Sequence, residues 1–458
     1  MLYPIFTPVA SDCPHVSHTS RRDCFARFFL VANTFLLAMA IDPASAASVL
    51  PNVALTLAGA QQLAVARSRQ LVAQDASVAA SRDMAVAAGQ LPDPTLKLGV
   101  ENLPVSGTDR LSLSRDFMTM RRIGVMQEFT RSDKRLARTD RFEREAQKTL
   151  AEKSAATAAI ERDTALAWLD RYYSEAMAAV VAEQGVQARL EVQAAEGTYR
   201  AGRGTQADMI MARSATAVFD DRASDAARRV RSATIMLERW IGEAAPTPLA
   251  GQPAIDQIRL DPASLAVQLA HHPEVAVLRK QEDLAQAQVR VAQAARKLDW
   301  SMEVAYQQRS PDFSNMVSVG LSVPLQWDQK NRQDREVSAK LALVDMAKAE
   351  LEESLRKHVG ETRALIDEWQ NGRERIGRYE RELIPLARER TLAVITAYRG
   401  GKSSLTDVLA ARRNVIDVRL QSLELQASTA RLWAQLNFLT PDDGRHAGLP
   451  STMQGETR

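Results

Sequence analysis

Beyond residue 46 this sequence contains no cysteine: its only two, Cys13 and Cys24, fall near the start of the chain. That excludes disulfides, thiol catalysis and thiolate metal sites from residues 47–458. Aromatics make up only 5% of the chain, too few for one thick core. Abundant alanine suits thin, closely packed helices instead. Neither sign of charge dominates, the formal net charge being +3. With no basic tract carrying interleaved aromatics, nucleic acid is not an expected partner. After the N-terminal region no apolar run approaches the length of a membrane helix, so any crossing must use strands. No nucleophile–base set, phosphate-cradling glycine loop or carboxylate pair stands out, and neither catalysis nor a cofactor is expected.

What is present begins with an export signal. Arg21, Arg22 and Arg27 form a basic flank, Phe28 to Ile41 an apolar run, and Ala44-Ser45-Ala46 a small-x-small cleavage site. Residues 1–46 therefore read as a signal peptide, with the mature chain starting near Ala47. About 14 apolar residues are too short for a membrane anchor.

The rest is organised around two turns. Tyr199-Arg200-Ala201-Gly202-Arg203-Gly204 runs on to Asp208, Ala212 and Arg213. It returns as Tyr398-Arg399-Gly400-Gly401-Lys402-Ser403, running on to Asp407, Ala411 and Arg412. Six of fifteen positions are identical, where unrelated segments would share roughly one. Each turn lies between two helical patterns. The first is a proline-free stretch from about Thr130 to Tyr199, on the order of 100 Å if helical. A helix of that length must pack in a coiled coil or repeat. The second runs from about Asp328 to Tyr398, with a kink expected at Pro385. After the second turn, Ile416, Leu420, Leu423, Ala427, Ala430 and Ala434 step by fours and threes, a coiled-coil seam.

Ahead of each long helix the period changes to two. Leu96, Leu98 and Val100 alternate with Lys97, Gly99 and Glu101, and a second strand region runs from Leu111 to Phe129. In the other half Trp300, Met302, Val304 and Tyr306 alternate with small or polar residues. Val317, Val319, Leu321, Val323 and Leu325 do the same. The expected organisation is a first repeat over 47–242 (strand pair 95–129, turn 199–204) and a linker over 243–261. A second repeat follows over 262–441 (strand pair 299–326, turn 398–404), then a loose tail over 442–458. Four strands, apolar on one face, cannot close a barrel alone, and open edges are not tolerated in lipid. Three copies supply twelve, a workable barrel. A small soluble β domain on a helical protein is the plainer alternative.

The two Tyr-Arg-x-Gly…Asp…Ala-Arg turns, the duplicated strand pairs and the place of Pro385 together resemble the TolC family of outer-membrane efflux channels. That resemblance implies a mainly α fold: long antiparallel helical hairpins forming an α-barrel, plus a trimeric twelve-stranded β-barrel. It implies a passive exit duct in the outer membrane with a large periplasmic part. A periplasmic adaptor and a proton-driven inner-membrane pump would be its partners. Leu91-Pro92-Asp93-Pro94 and the stretch from Met118 to Val125 resemble the heavy-metal efflux branch, with metal cations as cargo. The resemblance puts Asp407, and Asp208 in the first turn, at a periplasmic constriction. Helix N-terminal capping is the alternative for both. Ala410 stands where the family often has a second acid. Tyr199, Arg200, Gly202, Tyr398, Arg399 and Gly401 become adaptor-docking turns, with ordinary turn chemistry as the alternative. A periplasmic adaptor or coiled-coil scaffold stays open as a second reading of the chain. His271-His272 precedes Pro273, a helix start; with no further ligand at metal spacing, no metal site is expected.

Overall fold

The computed structural model describes residues 54–202 and 204–440; the expected signal peptide and C-terminal tail lie outside them. Two series of elements follow one another. The first is α1 (Leu57–Arg67), α2 (Arg69–Ala88), β1 (Thr95–Glu101), β2 (Met120–Phe129), α3 (Ser132–Arg200) and α4 (Gln206–Ile241). The second is α5 (Leu265–Leu269), α6 (Pro273–Ala295), β3 (Trp300–Gln308), β4 (Met316–Ser322) and α7 (Gln333–Arg378). A π turn (Tyr379–Leu383), α8 (Ile384–Arg399) and α9 (Leu405–Asn437) complete it. No helix among the described residues is long and apolar enough to cross a membrane.

Local chemistry sets most boundaries. Ser68 ends α1 with its N–H on Val65 O and starts α2 by accepting from the Leu71 N–H, so α1 and α2 are separate helices. The second strand starts at Met120, not Leu111. Over the intervening residues the Asp116 carboxylate accepts from the N–H groups of Met118 and Thr119, a turn that competes with strand pairing. β4 stops at Ser322, short of Leu325, because Pro324 has no N–H for a ladder. Pro385 likewise has no N–H for the carbonyl of Arg381. The helix widens just before it, where the Ile384 N–H bonds Tyr379 O across the π turn.

The four strands form one antiparallel sheet in the order β1-β2-β3-β4. Leu98, Ile123, Tyr306 and Val317 lie in one row, and Leu96, Val125, Val304 and Val319 in another. All eight are exposed apolar side chains on one face. The opposite face is lined by small residues, including Gly99, Gly124, Ala305, Ser318 and Gly320. A Cβ on Gly124 would come within 2.8 Å of the Ala305 Cβ. Small groups on one face and large ones on the other suit a sheet curved around the small side.

The helical core lies where α1, α3, α4 and α9 meet, around Trp168, Leu169, Leu237, Ala430 and Ala434. Each fully buried leucine there contributes about 1.5–3 kcal/mol of transfer free energy. Of the seam on α9, Ile416, Ala427, Ala430 and Ala434 are buried, and Leu420 and Leu423 pack against the same clusters. The chain that joins the two series is stapled to this core by side-chain donors. Trp369 Nε1 donates to Ile255 O at 3.1 Å and Trp433 Nε1 to Gln257 O at 2.8 Å. The buried Arg171 guanidinium donates to Ala245 O and Thr247 O. Trp168 Nε1 bonds Leu55 O, which is itself bridged to the joining chain at Leu249.

Candidate functional site

Three places on this scaffold carry the residues of interest: the two turns, the sheet, and the start of α6.

At the first turn α3 closes with Gly202 at φ +65, its N–H on Tyr199 O at 2.9 Å. At the second, Gly401 has φ +67 and its N–H lies 3.0 Å from Tyr398 O. A side chain at either position would be strained by the backbone, although its Cβ would meet nothing within 4 Å. Tyr199 and Tyr398 are exposed beside them. Arg200 is largely exposed, 3.8 Å from Glu196, and Arg399 is exposed as well. The paired Tyr-Arg of each turn is thus presented outward.

The helices that leave the turns begin with matching capping boxes. Thr205 Oγ accepts from the Asp208 N–H at 3.1 Å, and Asp208 accepts from the Thr205 N–H at 3.1 Å. Ser404 Oγ accepts from the Asp407 N–H at 3.2 Å, and Asp407 accepts from the Ser404 N–H at 3.0 Å. Asp407 also takes the hydroxyls of Ser403 and Ser404. These bonds hold both carboxyls below the usual range. The Thr205 hydroxyl is the chief cause for Asp208, and the Ser404 backbone N–H for Asp407. In each aspartate every cap bond falls on Oδ2, so Oδ1 is left with its share of the charge. Thr406 Oγ1 donates to Met211 Sδ at 3.4 Å, which sets the start of α9 beside the second turn of α4.

One turn further on, the equivalent arginines of the two repeats do different things. Arg213 meets Glu196 at 2.7 Å within its own hairpin, whereas Arg412 meets Glu191 on α3 at 2.7 Å. Burial pushes the Glu191 carboxyl up, and Arg412 pulls it down. The sequence placed both arginines in the motif, but no spacing rule names their partners.

On the small-residue face of the sheet, Lys97 meets Glu303 at 2.7 Å, and Arg122 bridges Glu101 and Glu303. Four charges on that face, Lys97, Glu101, Arg122 and Glu303, are therefore paired. Aromatics gather at the ends of the strands. Phe129 and Trp300 stack at 4.2 Å where the sheet meets the helices, and Trp327 nearby is 88% exposed. Phe117 and Phe313 lie 6.4 Å apart in the loops at the other end. Ten residues of β2 span about 34 Å, and at a barrel tilt near 40° they cover about 26 Å of height. That matches the roughly 25 Å apolar band of an outer-membrane barrel.

At the start of α6 the fold brings together three groups that the sequence keeps apart. His272, Glu274 and His358 each offer a ligand atom, all within 4.8 Å of one another. His358 is distant in sequence, and only the packing of α7 against α6 brings it there. Burial lowers the affinity of His272 for a proton, and the neighbouring His358 adds to this. His271 instead faces Val267 O on its own turn.

Residues 265–440 match the family model described as "Outer membrane efflux protein". No curated protein matches the sequence. Among solved structures, the fold is similar to that of CusC, described as forming a transmembrane channel. The TM-score is 0.72 at 14% identity, covering 85% of this chain and 92% of that one. It is similar to the outer-membrane channel OprN, with a TM-score of 0.69 at 15% identity, covering 84% and 90%. It is also similar to the outer membrane protein VceC of Vibrio cholerae, with a TM-score of 0.67 at 18% identity, covering 84% and 95%.

Proposed function

We propose that this chain is an outer-membrane efflux protein of the TolC type, three copies of which share one barrel and one periplasmic tunnel. The observation that carries this reading is the sheet. Among the described residues its edge strands, β1 and β4, have no partner on their outer sides, and one face is exposed and mostly apolar, with Arg121 the charge on it. Lipid permits neither open edge, while three such sheets joined edge to edge give twelve strands and no edge at all. The paired charges and small residues then line the lumen. An adaptor or coiled-coil scaffold would have no use for such a face.

In this reading the protein is a passive duct, fed by a proton-driven inner-membrane pump through a periplasmic adaptor. The Tyr-Arg turns at Gly202 and Gly401 form the docking end. Asp407 supplies one carboxylate ring at the constriction, with Asp208 behind it. Capping and a pore role are compatible, because the cap uses Oδ2 alone and Oδ1 can face an ion. With Ala410 in place of a second acid, this ring is single. Metal cations belong among the cargoes to be tested, since a wide water-filled tube leaves selection to the pump.

Membrane fractionation and electrophoresis with and without heating test the reading. The expected result is an outer-membrane species of three chains that falls to one on heating. A water-soluble monomer would sink it. Metal-salt and drug tolerance of a deletion strain then tests efflux, and unchanged tolerance to both counts against it.

A further inference from the structure

We propose that His272, Glu274 and His358 bind one divalent transition-metal ion of the zinc class, clamping the start of α6 to the middle of α7. This goes beyond the duct and does not depend on it.

The geometry is close to a first coordination shell. Two ligands about 2.0–2.1 Å from a tetrahedral ion stand roughly 3.3 Å apart. His358 Nε2 and Glu274 Oε2 are already 3.1 Å apart. The rings of His272 and His358 are 4.7 Å apart, and no pair of candidate ligand atoms exceeds 4.8 Å. Closing the shell therefore takes a shift on the order of 1 Å, within the reach of side-chain torsions. His272 Nδ1 accepts the Glu274 N–H at 3.3 Å, so a lone pair rather than a proton already faces Glu274. The metal displaces that long cap bond and takes the place of the proton in the His358–Glu274 contact.

The donor chemistry selects the ion. Two imidazoles and one carboxylate suit zinc, nickel or copper(II) better than calcium or magnesium, which favour all-oxygen shells. Three protein ligands leave a fourth position for water. His272 is buried, which fixes its ring, while the Glu274 side chain is 60% exposed and gives an ion a way in. Arg162 on α3 bears on His272, but its guanidinium is engaged with Asp163 at 3.0 Å. The ligands come from two helices and lie far apart in sequence. A bound ion therefore acts as a cross-link between α6 and α7.

The test uses tag-free purified protein, stripped with a chelator and titrated with zinc chloride against a chromophoric competitor, with elemental analysis for stoichiometry. One zinc per chain is expected, together with a rise in the melting midpoint. Glu274→Gln, an exposed and isosteric change, should weaken binding by about tenfold or more, a loss that outer-shell changes alone can reach. His358→Ala should abolish it. His271→Ala, next door but facing its own helix, should leave it unchanged. The proposal is overturned if the wild-type protein takes up no stoichiometric zinc. It is equally overturned if Glu274→Gln and His358→Ala retain wild-type affinity, or if His271→Ala loses as much as they do.

Discussion

Arg412 Nη1 lies 2.7 Å from Glu191 Oε1, so an arginine of the second repeat holds a carboxylate on the long helix of the first. The Glu191 side chain is only 13% exposed there. Removing its partner leaves a largely desolvated charge, and Arg412→Ala should cost about 2 kcal/mol. Arg213→Ala, at the more exposed counterpart, should cost less than about 1 kcal/mol. Thermal melts of the purified protein measure both. The pH dependence has a definite sign. Burial raises the folded-state affinity of Glu191 for a proton, so its contribution to stability improves as pH falls through that raised value. Without Arg412 the value rises further, so the deficit of the mutant should be smaller at about pH 5 than at about pH 8.

The two capping boxes predict an acid-sensitive end. Asp208 and Asp407 bind protons less readily folded than unfolded. Their stabilisation is full above the unfolded value of about 3.9 and is lost as pH falls through the lower folded one. Hydrogen-exchange protection factors at the starts of α4 and α9 should hold down to about pH 4 and then drop. Asp407→Asn should lower protection at neutral pH and flatten that dependence at α9 while leaving α4 unchanged. An unaltered profile in the mutant would count against the cap.

If the turns dock an adaptor, bulk at their tips should separate assembly from folding. Gly202→Phe and Gly401→Phe add a side chain whose Cβ meets nothing within 4 Å, at a backbone cost of roughly 1–2 kcal/mol. The expected outcome is a normal trimer that neither captures adaptor nor restores efflux. Gly401→Asn, whose side chain tolerates the left-handed conformation, should keep most function. Full efflux in both phenylalanine variants refutes docking at these positions.

Gly124 tests the curvature of the sheet. A Cβ there meets Ala305 at 2.8 Å, and a branched side chain meets it harder. Gly124→Val should block assembly into heat-sensitive trimers, because it enlarges the face that must take the smaller circumference. Gly320→Ala, where a Cβ meets nothing within 4 Å, should assemble normally.

Much of this architecture was legible in the order of residues. A strand buried on neither side still shows period two, and Leu96, Leu98 and Val100 sit in one face as their spacing requires. The seam from Ile416 to Ala434 was equally plain, since stepping by fours and threes has no other use. The start of β2 was not, because Leu111 and Phe117 are as apolar as strand residues and only the turn at Asp116 removes them. The meeting of His272 with His358, and of Arg412 with Glu191, left no local trace. Those contacts depend on how two distant helices align, and pairing of that kind is a property of packing rather than of period.

The staples on the joining chain have a mechanical consequence. Arg171, Trp369 and Trp433 fix their helices to it by donors whose bonds break if they slide, and Trp168 does so through Leu55, itself bridged to it. From Trp168 to the end of α3 at Arg200 is about 48 Å of helix. With α3 pinned at Trp168, a swing of about 5° displaces the far tip by roughly 4 Å. In the proposed trimer, small rotations of this kind would widen an aperture at the turns like an iris, while the pinned helices and the shared barrel keep their diameter.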